Sequence, residues 1–187
     1  MRTNLIALVL AAAFIAPAEA GHRAGVTMPD TMTVAGKPLT LNGIGLREAT
    51  FLNIDVYVAG LYLERVSSDP NHIIASSEVK VLVLRFVRDV DRSDIVKAWN
   101  EGFHNNATVK VATLAPLIER LDSWMGAFSK GDTLVFRYVP GEGLGVDING
   151  VHKGLINSDD FARSLFAIWL GPKPPGRGLK KDLLGSH

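Results

Sequence analysis

The sequence predicts an α+β domain, an antiparallel sheet carrying a layer of helices, on three observations. Apolar and β-branched runs of strand length cluster at two places along the chain. Between and after them the apolar spacing changes to three- and four-residue steps. An Asn149-Gly150 pair joins two of the short strand runs, the signature of a tight hairpin. Strands joined by hairpins, with helices kept in separate runs, give α+β rather than an alternating parallel architecture.

The first twenty residues stand apart from the domain. Arg2 supplies a positive start, Leu5 to Ala16 an apolar core, and Ala18-Glu19-Ala20 a small-x-small cleavage site. That is the pattern of a secretory signal peptide, so the mature domain is expected to span residues 21–187 and to be periplasmic or secreted. A lipoprotein signal needs cysteine at the cleavage point, and the chain has none. In "MTVAGKPLTLNG" two short strands flank Gly36. Phe51 to Glu64 reads as one long strand bent at Gly60. "VKVLVLRFV", Val79 to Val87, is dense enough in valine and leucine for a central strand covered on both faces.

Ser93 is the expected N-cap of a first long helix carrying Ile95, Ala98, Trp99 and Gly102. A second carries Leu114, Leu117, Ile118, Leu121, Trp124 and Phe128. Strands return at "DTLVFRYV", "GLGVDI" and "VHKGLI". Ser158 caps a further helix with Asp159 and Asp160 in its first turn, and Gly171-Pro172 end it. A short terminal helix, "GLKKDLLG", follows a Pro/Gly-rich link. There is no internal repeat.

Composition excludes several functions. Lys and Arg number 20 against 19 Asp and Glu, a balance that argues for neither nucleic acid nor an acidic partner. Without cysteine there is no disulfide, thiolate catalysis or Cys-based zinc site. No run after the leader is long enough to span a membrane. His22, His72, His104, His152 and His187 are scattered without metal-ligand spacing, and no metal or cofactor is expected. "GEGLGV" lacks the last glycine of a dinucleotide fingerprint and leads into a strand, so it reads as a hairpin turn. Asp147, Asn149 and Gly150 open like a calcium loop, but the acidic residues that should follow are missing.

Arg47 and Tyr57 remain. Strict alternation along the long strand puts Leu52, Ile54, Val56, Val58, Gly60 and Tyr62 on one face and Asn53, Asp55, Tyr57, Ala59, Leu61 and Leu63 on the other. The second face is polar at its start and apolar at its end, as the lining for a molecule with a polar head and an apolar tail would be. A guanidinium and a phenol can together hold a carboxylate or an enolate. Arg85 sits on a face otherwise made of Val79, Val81, Val83 and Val87, where a charge must be paired or bind something. Two accounts stand side by side: Arg47, Tyr57 and Arg85 bind a ligand, or the arginines pair with Asp55 or Glu101 and Tyr57 is a core residue.

The segments "GIGLR…FLNIDVYVAGLYLE", "LRFVRDVDRSDIVKAWNEGF", "VFRYVPGEGLGVDINGVHKGLI" and "DFARSLFAIWLG" resemble the chalcone isomerase-like family, and within it the exported bacterial branch. The resemblance runs from about Met32 to Leu184 and implies an open-faced β-sandwich with a cleft between a large antiparallel sheet and its helices. Arg47 matches the arginine that polarises the enolate in the plant enzyme. Tyr57 stands where the enzyme has threonine, as in the fatty-acid-binding members, which use an arginine and a tyrosine to hold the carboxylate. The enzyme's helix tyrosine falls near Asp94 or Ile95, its asparagine near Glu101 or Gly102, and its late hydroxyl residue at Ile168. Ring closure is therefore not expected. Three functions are carried forward: a non-catalytic binder of a small amphipathic carboxylate such as a fatty acid, an isomerase- or lyase-type enzyme using Arg47 with Asp55 as base, and a periplasmic protein-partner with a closed cleft.

Overall fold

The computed structural model describes residues 21–49 and 54–185. The expected leader, and the start of the expected long strand at Phe51, Leu52 and Asn53, lie outside the described residues. A small hairpin comes first, β1 (Gly21–Arg23) with β2 (Val26–Met28). The main sheet is a seven-stranded antiparallel meander in chain order: β3 (Thr31–Val34), β4 (Lys37–Ala49), β5 (Ile54–Leu63), β6 (Lys80–Phe86), β7 (Thr133–Val139), β8 (Gly143–Ile148) and β9 (Val151–Ile156). The turns at Ala35-Gly36 and Asn149-Gly150 both have positive φ at two successive residues, the geometry that matches the twist of tightly joined strands. Asn149 supports its turn further, accepting from Thr133 N at 2.8 Å.

Five helices complete the chain: α1 (Pro70–Ala75), α2 (Arg92–Asn106), α3 (Val111–Trp124), α4 (Asp159–Leu170) and α5 (Arg177–Leu183). Sequence pattern did not signal α1; its cap is Asp69, which accepts from Asn71 N at 2.9 Å, and Pro70 starts it without wasting a donor. Asp91 rather than Ser93 precedes the first turn of α2, and no side chain bonds the free amides there. Ser158 caps α4 as expected, through Phe161 N. Helix α4 is central: every residue from Phe161 to Leu170 but Arg163 is buried, and α1, α2 and α5 pack on it.

The main core lies between the sheet and these helices and includes Leu82, Leu84, Phe86, Phe103, Phe136, Phe161 and Trp169. The other sheet face carries a smaller apolar cluster, Leu39, Val58, Tyr62, Val79 and Val81, under Met28 of the β1–β2 hairpin. That cover is incomplete. Strand β6 is central and largely buried, as expected, but Arg85 near its end is exposed.

Two bulges decide which residues face the helices. On β4, Leu41 pairs with Tyr62 and Gly43 with Leu61, so Asn42 is the extra residue. Alternation reverses there. Leu39 and Leu41 lie with the outer cluster, as do Ile44 and Leu46, which leaves Gly43, Gly45 and Arg47 on the helix side. On β5, Arg47 pairs with Tyr57 and Glu48 with Asp55, so Val56 is extra. Tyr57, Ala59, Leu61 and Leu63 face the helices, and before the bulge Ile54 and Val56 turn to that same side. The uninterrupted alternation expected for this strand is thus corrected: one face holds all of these, and Asp55 turns to the other.

The glycines before Arg47 have a packing cause. Helix α5 lies directly on β4. A Cβ at Gly43 would collide with the backbone carbonyls of Asp182 and Leu183, and one at Gly45 would stand 2.8 Å from Leu179 Cδ1. The bulged Asn42 ties the same helix down, donating to Leu183 O at 2.8 Å and Ser67 O at 3.0 Å.

Candidate functional site

A cleft of about 750 Å³ opens where β4 and β5 run out from under the helix layer, within the size range of small-molecule sites. Strand residues Arg47, Ile54, Val56 and Tyr57 form one wall, and Ile95, Ala98, Trp99 and Gly102 of α2 another. Ile168 of α4 and the segment Lys173-Pro174-Pro175 close a third side. Asn106, buried at the end of α2, holds that segment: its amide donates to Lys173 O at 2.9 Å and accepts from Lys173 N at 2.8 Å. Arg92 anchors the start of α2 through Met125 O at 2.9 Å and Asp122 O at 3.0 Å. The walls are held by rigid elements.

Arg47 and Tyr57 are directly opposed across β4 and β5 and both line the cleft. Arg47 is half-buried; its Nη1 donates to the Glu48 carbonyl, and among the described residues no carboxylate pairs with it. Tyr57 is 4% exposed. Its oxygen accepts from Trp169 Nε1 at 3.0 Å. An indole N–H can only donate, so the phenol oxygen is the acceptor, and among the described residues its own proton has no partner. Burial pushes the Tyr57 hydroxyl up to about 12, against smaller lowering effects of the Trp169 hydrogen bond and the Arg47 charge. Tyr57 is a neutral donor at physiological pH, not a base.

Exposed charges of both signs rim the cleft: Arg88, Lys97 and Lys173 beside Asp89, Asp91, Asp94 and Glu101. Among the lining residues the buried ones are Tyr57, Ile95, Trp99 and Ile168. The cleft is polar at its rim and largely apolar within.

Other expected positions fall elsewhere. Arg85 lies on the opposite sheet face, paired in register with Val58 and Thr133, and borders a separate hollow of about 370 Å³ with Asp55 and Lys130. The structure does not bring it to Arg47 and Tyr57. Asp55 lies on that far side too, which removes it both as ion-pair partner for Arg47 and as the base of an enzyme in this cleft. Ala59, Leu61 and Leu63 are sealed in the core rather than lining a channel; Ile54 and Val56 take that place. Trp99 and Trp169 are the site residues that pattern reasoning missed. Trp99 sits on an apolar helical stripe and Trp169 in a nearly all-apolar helix, where tryptophan reads simply as core. No group of histidine or acidic residues able to hold a metal occurs among the described residues.

A family profile described as chalcone isomerase-like matches residues 20–185, nearly the whole domain. The chain belongs to the chalcone isomerase-like family. Among solved structures, this chalcone isomerase-like chain is similar to the crystal structure of a fatty-acid-binding protein of Arabidopsis thaliana, with a TM-score of 0.72 at 20% identity. The match covers 86% of this chain and 92% of that one, and at this identity it establishes the shared fold. A search of curated protein sequences returns no match. Two positions where the chalcone isomerase resemblance implies lost polar groups now meet each other: Gly102 and Ile168 are so close that a Cβ at Gly102 would stand 2.7 Å from Ile168 Cγ2. That part of the cleft is apolar wall.

Proposed function

We propose that this chalcone isomerase-like protein binds a fatty acid or similar anionic amphiphile, and that it does so without catalysis. The observation that carries the reading is the opposition of Arg47 and Tyr57 across two strands at the cleft, where the Tyr57 oxygen accepts from Trp169 and, among the described residues, its proton has no other partner. A guanidinium fork and a neutral phenol are both donors, which suits an ionised carboxylate. The apolar side chains beside them, Ile54, Val56, Ile95 and Ile168, suit an alkyl tail. The apolar Gly102–Ile168 contact, and the placement of Asp55 away from the cleft, weigh against ring closure and against proton abstraction. The similarity to a plant fatty-acid-binding protein agrees with this reading at the level of fold.

Titration calorimetry with decanoate and with decanol tests it. Decanoate should bind wild type saturably, decanol weakly, and Arg47→Ala should remove most of the difference. Absence of decanoate binding in wild type would return Arg47 to a structural role.

The domain acts, in this proposal, outside the cytoplasm. The leader pattern in residues 1–20 supports export. Intact-mass measurement of the periplasmic fraction should find a chain beginning at Gly21. Full-length protein in the cytoplasm would overturn the localisation.

A further inference from the structure

The link between α4 and α5, which closes the third side of the cleft, reads "GPKPPG" from Gly171 to Gly176. Proline carries no backbone N–H, so from Pro172 to Pro175 the Lys173 amide is the one main-chain donor. Both main-chain groups of Lys173 go to a single side chain. Asn106 Nδ2 donates to Lys173 O at 2.9 Å, and Asn106 Oδ1 accepts from Lys173 N at 2.8 Å. Nδ2 also donates to Gly102 O at 3.1 Å, so both amide hydrogens and the amide oxygen are engaged. Asn106 is 6% exposed and closely fitted: a Cβ at Gly171 would stand 2.7 Å from its Oδ1. Lys180 of α5 fixes the start of the link, donating to Gly171 O at 2.8 Å. Pro174 and Pro175 line the cleft, and among the described residues no hydrogen bond ties either of them. Their position depends on Lys173, and Lys173 is held by Asn106.

We infer that Asn106 is a positioning residue for ligand selection: by holding Lys173 it fixes Pro174 and Pro175 as a wall of set shape, and that wall decides which apolar tails the cleft accepts. The inference rests on the binding function proposed above and adds a determinant of tail shape to it. Asn106 itself touches no ligand in this account. Proline rings lock φ, so the wall does not adjust residue by residue; it stands where Asn106 holds it or moves as a unit. A wall already in place needs no ordering when the ligand arrives, and it penalises a tail that does not follow its surface. Untied, the same wall has to be ordered by the ligand and yields to tails of either shape. The loss of that preorganisation weakens binding by about fivefold.

Two acids alike in head and different in tail provide the test: decanoate, which is slender, and cyclohexylbutanoate, which carries a bulky ring. Both are titrated by calorimetry into wild type and Asn106→Ala at a temperature where both proteins are folded. Wild type should discriminate between the acids. Asn106→Ala should bind the preferred one about fivefold more weakly, with the ratio of the two affinities moved toward one. Hydrogen exchange should find the Lys173 amide protected in wild type and released in the variant, while β5 and β6 keep their protection. Release of that amide with affinities and ratio unchanged makes Asn106 structural only; it overturns the inference and leaves the binding function standing. A Lys173 amide that stays protected without Asn106, or a wild type that does not discriminate, overturns it equally. Absence of binding of either acid to wild type overturns both. Should Asn106→Ala fail to fold, Lys173→Pro, which deletes the tethered N–H, is compared with Lys173→Ala, which keeps it. The proline variant should show the lower affinity and the smaller ratio, and equal behaviour of the two overturns the inference.

Discussion

Arg47 lines the cleft because the β4 bulge turns it to the helix side, and the strand register sets Tyr57 opposite it. Two residues separated by ten in sequence become cross-strand opposites, and Trp169, more than a hundred residues later, donates a hydrogen bond to the phenol oxygen. The energies follow from this arrangement. A charge-assisted contact contributes about 1.5–3 kcal/mol, so Arg47→Ala should weaken decanoate binding at least about tenfold. Tyr57→Phe removes one neutral donor and should cost less, near 1 kcal/mol by the same reasoning. Arg47→Lys should restore only part of the affinity, since an ammonium lacks the planar fork. Calorimetric titration of these variants checks the order. Equal losses in Arg47→Ala and Tyr57→Phe would mean that charge is not what the site recognises.

Among the elements, α5 matters more than its length suggests. It has seven residues, yet Leu179 and Leu183 reach the main core and Gly43 and Gly45 give it a bed on β4. Where α5 leaves β4, Arg47 is the next helix-facing residue and comes to line the cleft. Gly43→Ala should therefore do more than a surface glycine substitution. Its methyl meets backbone carbonyls, which cannot rotate away, and overpacking of this kind costs about 1–3 kcal/mol. Hydrogen exchange should quicken through residues 177–183 in that variant while β6 and β7 keep their protection. Unchanged exchange in α5 would mean that the helix is not seated on β4 in solution.

For the whole molecule, pH reads out how much polar chemistry the core has enclosed. Lys80 enters the sheet at β6, 2% exposed, with Nζ donating to Ile73 O at 2.5 Å and Ser76 O at 2.8 Å and lying over the rings of Tyr138 and Phe166. Burial pulls this ammonium down to about 8, and the Arg163 charge adds to the shift. Between there and the ordinary lysine value of 10.5 the unfolded chain holds a proton that the folded chain has released, so stability rises with pH across that window. Tyr57, Tyr62 and Tyr138 behave oppositely: burial raises each to about 12, and above pH 10 the folded chain keeps protons that the unfolded chain loses. Urea midpoints should climb from pH 8 toward 10 and then fall. Lys80→Met should abolish the climb and keep the fall; a climb that persists in this variant would assign it to other groups.

How much of this was legible beforehand follows from the range of the forces involved. Local signals located the strands of the main sheet and four of the five helices, though not the small β1–β2 hairpin: hydrophobic period, the Asn149-Gly150 turn, Ser158 as cap and the Gly171-Pro172 stop all act within a few residues. The family and the α+β sheet with its helical layer were legible as well, since the order of strand and helix runs survives without any knowledge of contacts. Arg47 and Tyr57 were visible as candidates because charge and phenol are rare in apolar strands. What sequence alone did not reveal was direction. A bulge inserts one residue and reverses every side chain beyond it, and Asn42 and Val56 carry no local mark that they are the inserted ones. Those two insertions turned Arg47 inward, brought Ile54 and Val56 round to join Tyr57, and sent Asp55 to the far face with Arg85. They arise from fitting β4 at once to β5, to α5 and to the outer cluster, a balance of contacts far apart in the chain. The role of Trp169 is of the same kind: tryptophan in an apolar helix says core, and only the assembled cleft shows that its indole donates to Tyr57.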